Sequence, residues 1–112
     1  MVSCGKKSVV STPDERKTVD SIVRSVRTPD SLALLQKQLE SKGDMLGSVV
    51  ALREWGKALR NDSRFEEALR THSEGLRQAE SIGDTLEWVQ ALNNIGTDYR
   101  RMGVLDEAQI YH

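Results

Sequence analysis

The sequence predicts an all-α protein built from antiparallel helix pairs that stack side by side. Apolar residues recur every three or four positions through most of the 112 residues, which is the spacing of one helix face. Short segments containing Gly, Asp, Asn or Ser separate these stretches. A segment of about forty residues also recurs within the chain. Because no useful length alternates between apolar and polar residues, no strand is predicted.

The first helix is predicted over residues 12–27. Thr12 supplies an N-cap hydroxyl, Pro13 suits the first helical position, and the acids that follow suit the positive end of the helix dipole. Thr28 and Pro29 end this helix and begin the next by the same signals. The buried face of the first helix is predicted to consist of Val19, Ile22, Val23 and Val26.

Short breaks predict where the later helices end. The second helix ends at Gly43, the third at residues 61–63, the fourth at Gly83 and the fifth at residues 102–103. Leu105 begins a last helix. The predicted apolar stripes, from the second helix to the fifth, are Leu34, Leu35 and Leu39, without Leu32; Val49, Leu52, Trp55, Gly56 and Leu59; Phe65, Ala68, Leu69, His72, Leu76 and Ala79; and Leu86, Val89, Leu92, Ile95 and Tyr99.

Length and composition exclude several classes of protein. The chain suffices for about one domain, which excludes an enzyme with separate cofactor and substrate lobes. Sixteen Lys and Arg against seventeen Asp and Glu leave a net charge of −1, so no nucleic-acid partner is expected. The sequence has no run of eighteen apolar residues, so no transmembrane segment is predicted. One cysteine excludes an internal disulfide framework and a thiolate metal cluster.

Residues 1–11 are predicted to be a disordered tail, since they contain Ser, Lys and Gly without helical spacing. The segment from Met1 to Lys7 resembles the cleavage end of a bacterial lipoprotein signal, but the apolar stretch of a signal peptide is missing. Two localisations therefore stay open. The protein is cytoplasmic, or it lies in a bacterial cell envelope as a periplasm-facing lipoprotein if Cys4 is lipidated.

A shift of forty residues superimposes two parts of the chain without gaps. Residues 40–44 then lie over residues 80–84, so the turns coincide as well as the helices. The shift also aligns Phe65 with Leu105, so this position is apolar in both copies. The identical pairs are Ala51 with Ala91, Leu52 with Leu92, Gly56 with Gly96, Arg60 with Arg100, Glu67 with Glu107, Ala68 with Ala108 and His72 with His112.

These residues resemble the tetratricopeptide repeats, in the forty-residue form of kinesin light chains and bacterial regulatory proteins. The motif residues are Ala91-Leu92-Asn93-Asn94-Ile95-Gly96, Tyr99, Gly103, Leu105-Asp106-Glu107-Ala108 and Tyr111-His112.

The resemblance implies an α-solenoid of antiparallel helix pairs wound into a right-handed superhelix. It is specific over residues 44–112, weaker over 28–43 and nearly absent over 12–27. Within the repeat domain of residues 12–112, a divergent or capping pair thus occupies 12–43 and a full repeat 44–83. A repeat truncated in its second helix occupies 84–112. The open C-terminal edge implies further repeats or self-association.

Helix contacts explain the glycines of the repeat. Gly56 and Gly96 are predicted where the first helix of a pair closely approaches the second, with Ala68 and Ala108 as the matching small surface. Gly75 lies on the apolar face of its helix, where the family has Ala.

No catalytic, cofactor or metal site is predicted. His72 lies on an apolar stripe, so we interpret it as a packed residue with one hydrogen-bond partner. His112 takes the equivalent place, and neither histidine has an acid-rich ligand set at short spacing. Cys4 has no histidine nearby in sequence, and no glycine-rich turn follows a strand. We therefore expect no enzymatic activity.

A polar row along the third and fifth helices is the candidate binding site. The resemblance implies that such first-helix side chains line a concave groove, where Asn holds a peptide backbone and Arg pairs with carboxylates. A protein or peptide partner with acidic groups is therefore expected. Glu54 and Asp98 are expected to neutralise part of the row, and a solvated face is the alternative. The predicted groove residues are Arg53, Lys57, Arg60, Gln90, Asn93, Asn94, Thr97 and Arg100.

A second hypothesis gives the repeats a regulatory role. In similar bacterial proteins they form the N-terminal sensory part of a larger signalling protein, such as a histidine kinase or a transcriptional regulator.

Lys57 departs from the clamp of chaperone-binding repeats, which has Asn there, so a chaperone tail is not implied as the ligand.

Overall fold

The protein is all-helical over the residues that its computed structural model describes, which are 17, 18, 23 and 26–110, with side chains to Gly103. No strand occurs among them. Lys17, Thr18 and Val23 are helical, as predicted for residues 12–27, whereas Val26 and Arg27 at the end of that range are not helical. The other residues of that predicted helix, the tail of residues 1–11 with Cys4, and His112 lie outside the described residues. The helices are α1 (Pro29–Ser41), α2 (Met45–Asn61), α3 (Phe65–Ile82) and α4 (Thr85–Ile110).

Local capping sets the helix starts, much as the sequence predicts. Thr28 Oγ1 accepts a hydrogen bond from the Ser31 amide at 3.2 Å at the start of α1. The Asp44 carboxylate caps α2 in the same way. Gly43 and Gly83 end α1 and α3 with φ of 81° and 71°, in the left-handed region that a side chain disfavours.

Helices α2 and α3 run antiparallel. Going along α2, Ser48 contacts Gln78, Leu52 faces Gly75 and Gly56 faces His72, so position rises on one helix as it falls on the other. Each helix packs against the next one in sequence, and α2 also contacts α4. Helix α2 therefore lies at the centre of the described part of the chain.

The hydrophobic core begins between the first predicted helix, α1 and α2. Val23, Leu32 and Val50 are buried there, with Trp55 partly buried against them. The exclusion of Leu32 from the core was wrong, as was the inclusion of Leu34, since Leu32 is 2% exposed and Leu34 is 59% exposed. Leu32 shares a helix face with Leu35, Gln36 and Leu39, which are three, four and seven residues further on, and Leu34 lies off that face.

The stripes of α2 and α3 are confirmed, whereas that of α4 is not. Val49, Leu52 and Leu59 are buried in α2, and α3 buries Phe65 and Ala79. In α4 the predicted stripe faces outward, because the inward face carries acids that pair with arginines of α2. The exposed members of that stripe are Leu86, Val89, Leu92 and Tyr99.

The predicted break at residues 102–103 is also wrong, because α4 continues to Ile110 without interruption. Gly103 lacks the positive φ of Gly43 and Gly83. It is followed by Val104, which has no side-chain acceptor to cap a new helix, whereas aspartates follow the other two glycines. One glycine costs a helix interior only about 1 kcal/mol, so it does not end the helix by itself.

The close approach predicted at Gly56 is confirmed, although the group that it meets is a histidine ring. A Cβ built on Gly56 would lie 2.2 Å from His72 Nε2, in a space where the ring is fully buried. A Cβ on Gly75 would meet Leu52 Cβ at an ordinary 3.5 Å. At Gly96 it would meet nothing within 4 Å among the described atoms, so the described residues show no close approach there.

We expect Gly56→Ala to destabilise the protein by about 1–3 kcal/mol, because the added methyl group overlaps a ring that is held in place. Gly75→Ala is the matched control in the facing helix. It should leave stability unchanged or raise it by up to about 1 kcal/mol, through the better helix propensity of alanine. Urea unfolding followed by circular dichroism compares the two variants. Equal free energies of unfolding would contradict the close approach at Gly56.

Candidate functional site

Arg53 of the predicted groove joins α2 to α4. Its Nη1 lies 2.6 Å from Glu87 Oε2, and its Nε lies 3.1 Å from Glu54 Oε2. Glu87 is fully buried and Arg53 is half-buried. Because a buried carboxylate needs a compensating charge, Arg53 holds the first turn of α4 against α2.

Arg60 makes the equivalent connection two turns later. Its Nη1 donates to Asp98 Oδ1 at 2.9 Å, and its Nη2 donates to Asn94 Oδ1 at 3.2 Å. The other oxygen of Asp98 accepts a hydrogen bond from His72 Nδ1 at 2.6 Å. A single buried carboxylate therefore links α2, α3 and α4.

His72 is a packed residue, as the sequence predicts, but it has two polar neighbours instead of one. Its Nδ1 faces Asp98, and its Nε2 lies 3.3 Å from the carbonyl oxygen of Arg53. The ring also lies directly over Gly56. Two directed contacts and the surrounding helices fix its orientation.

Two of the predicted groove cations are thus committed to the fold. The expectation that Asp98 and Glu54 neutralise part of the basic row is confirmed by the pairs with Arg60 and with Arg53 and Lys57. Sequence reasoning missed Glu87, because the pairs of α2 with α4 span 34 and 38 residues. Such pairs follow from the register between α2 and α4, whereas the i, i+3 and i, i+4 spacing rule applies only within one helix.

Lys57 is the groove cation of α2 that stays accessible. Its side chain is 44% exposed, against 12% for Arg60, and its Nζ lies 3.2 Å from Glu54 Oε2. Beside it lies a cleft of about 320 Å³ that is lined by both apolar and polar residues. Its lining residues are Val26, Arg27, Leu32, Glu54, Lys57, Ala58 and Asn61.

The α4 members of the predicted groove form a continuous polar surface. Asn94 lies next to α2 and accepts from Arg60. Helical periodicity places Gln90 and Thr97 beside Asn94, and Asn93 and Arg100 further round the helix. The Thr97 hydroxyl donates to the Asn93 carbonyl at 3.0 Å and accepts from Arg100 Nη2 at 3.1 Å.

A second cleft, of about 330 Å³, opens between α1 and α3, with Leu52, Trp55 and Leu59 among its lining residues. Its acids already have partners within the chain. A hydrogen bond from Arg64 lowers the pKa of Glu67, and one from Arg77 lowers the pKa of Glu74. The remaining lining residues are Gln36, Glu40, Arg70, Thr71 and Gln78.

The described part of the chain has neither a cluster of metal-ligating side chains nor a helix that could cross a membrane. No group of three or more His, Cys, Asp or Glu residues there is placed to hold a metal ion. None of the described helices combines the length and the apolar character needed to cross a bilayer.

No protein-family model matches the sequence, and no curated protein or solved structure matches it either.

We expect Asp98→Ala to destabilise the protein by about 3–5 kcal/mol, because it leaves Arg60 and His72 without their shared buried carboxylate. Arg77→Ala breaks the exposed pair with Glu74 and serves as the control, with little change expected. Thermal and urea unfolding of both variants give the comparison. If Asp98→Ala unfolds no more easily than Arg77→Ala, the buried carboxylate does not link the helices in the way described.

Proposed function

We propose that this chain is a protein-interaction module of the tetratricopeptide type, which holds an extended peptide segment with acidic groups. In this arrangement α2 and α3 form one helix pair, and α4 is the first helix of the next. The pairs stack as a right-handed solenoid, and α2 and α4 line its concave side. The antiparallel contacts of α2 with α3 and the contact of α2 with α4 support this arrangement.

The accessible Lys57 beside the 320 Å³ cleft is the observation on which the proposal depends. Lys57 and Arg27 are cations at this cleft, and Asn61 adds an amide that both donates and accepts. Val26, Leu32 and Ala58 provide apolar surface. This combination suits a peptide carboxylate next to a small apolar side chain.

The other residues of the predicted groove have different parts in the proposal. Gln90 and Thr97 extend the binding surface along α4, where side-chain amides and hydroxyls can hold a peptide backbone. Arg53 and Arg60 fix the distance between α2 and α4 through Glu87 and Asp98, so they act by positioning.

Selection of peptides from a random displayed library tests the proposal. We expect the selected peptides to be enriched in Asp and Glu and to bind at least about tenfold more weakly to Lys57→Glu, a loss of about 1.4 kcal/mol. Lys37→Glu makes the same charge change at an exposed position of α1 and should bind as the wild type does. Fluorescence anisotropy measures the dissociation constants.

Substitution of Arg53 is not a suitable test, because Arg53→Glu brings a second carboxylate to the buried Glu87 and destabilises the fold. Peptides that bind equally well to wild type and Lys57→Glu would refute the proposed surface. So would a selection without enrichment of acidic residues.

A further inference from the structure

Helix α4 has its polar side inside and its apolar side outside. The residues that it turns toward α2 and α3 include Glu87, Ala91 and Asp98, all buried. An amphipathic helix at a protein surface normally has the opposite arrangement. The outward apolar side chains are Leu86 (47% exposed), Trp88 (39%), Val89 (43%), Leu92 (40%) and Tyr99 (59%).

The outward residues follow the spacing of a helix-packing seam. Val89, Leu92, Gly96, Tyr99 and Gly103 are separated alternately by three and four residues, as the core positions of a coiled coil are. We call these five residues the outer seam. A Cβ at either glycine would meet none of the described atoms within 4 Å, so the described part of the seam has two open hollows next to large side chains.

The outer seam repeats a surface that is covered elsewhere in the molecule. Forty residues earlier, Val49, Leu52, Gly56 and Leu59 of α2 have the same spacing, and all four are buried. Helix α3 packs over this surface, with His72 against Gly56 and Gly75 against Leu52. The outer seam therefore continues, one repeat later, the pattern of an interface that receives a helix.

We infer that a second copy of this chain packs on the outer seam, with the two α4 helices antiparallel about a two-fold axis. The axis lies between Leu92 and Gly96. Leu92 then fills the hollow at the partner's Gly96, and Val89 packs against the partner's Tyr99. Such alternation of large and small side chains across the axis makes the seam complementary to itself.

The flanks of the seam are also compatible with self-pairing. On one side Trp88 and Met102 of opposite copies are neighbours, and two copies of Ile95 meet at the axis. On the other side two copies of Asn93 meet, and each side-chain amide both donates and accepts. Between Thr85 and Gly103, where side chains are described, Arg100 is the one charged residue on the seam and its flanks, so no row of like charges opposes the pairing.

The area available predicts a weak dimer. The exposed apolar residues of α4 are Leu86, Trp88, Val89, Leu92 and Tyr99. Together they expose on the order of 450 Å² in each copy, an area similar to that of the largest apolar patches on monomeric proteins. Two such patches and their polar rims approach the roughly 1,200 Å² at which specific interfaces begin. The dimer therefore forms over a micromolar range of concentration. This surface uses none of the residues that line the Lys57 cleft.

Sedimentation equilibrium of the full chain, over concentrations from about 1 to 500 μM, tests the inference. We expect a monomer–dimer equilibrium whose dissociation constant rises at least tenfold in Leu92→Glu. Leu34→Glu is the matched control, because Leu34 is an exposed leucine on α1 (59% exposed, against 40% for Leu92) that lies outside the seam, and it should leave the equilibrium unchanged. Circular dichroism establishes that all variants keep their helices.

Gly96→Leu distinguishes specific packing at Gly96 from non-specific association of exposed apolar side chains. It should weaken the dimer, because it fills the hollow that receives Leu92. It should not lower the stability of the monomer, since a Cβ at Gly96 meets no neighbour among the described residues. A wild-type protein that stays monomeric at 500 μM would overturn the inference, as would a dimer that Leu92→Glu leaves intact or Gly96→Leu strengthens.

Discussion

The buried carboxylate of Asp98 is the contact on which the described architecture depends. It binds Arg60 of α2 and His72 of α3 at the same time, and all three side chains lie in a space with little access to water. A buried charge is costly unless each of its oxygens has a donor, and here each one has. The absence of a side chain at Gly56 makes room for the histidine ring. Loss of Arg60 or His72 leaves one oxygen of the carboxylate without its donor, and loss of Asp98 leaves both donors without their acceptor. The three helices are therefore fixed together.

This use of charge explains why α4 is inverted. Once Glu87 and Asp98 occupy its inner face, the apolar residues of the helix must lie on the other side. In α2 the polar contacts and the apolar stripe face different neighbours, α4 and α3, so both are covered. In α4 only the polar side is covered within the described residues. The outer seam is therefore a direct consequence of the ion pairs and not of poor packing.

Local chemistry determines which parts of this molecule the sequence predicts. The starts of α1 and α2 depend on the side chains of Thr28 and Asp44, which act within a few residues, so they were predicted correctly. Leu32 was wrongly left out of the core and Leu34 wrongly included, although the spacing of Leu32, Leu35 and Leu39 by three and four residues places these three on one helix face. The continuation of α4 through Gly103 also has a local reason, because Val104 cannot cap a new helix and one glycine costs a helix interior little.

The candidate site shows the same limit at longer range. The sequence places Arg53, Lys57 and Arg60 on one face, and that much is correct for a helix with their spacing. Their roles diverge because Arg53 and Arg60 lie toward α4, where two acids meet them, while Lys57 lies one step further round. A difference of about 40–60° around the helix axis thus separates cations that hold the fold together from one that a ligand can reach. A basic row along a helix therefore has to be divided by helix register before any of its charges is assigned to binding.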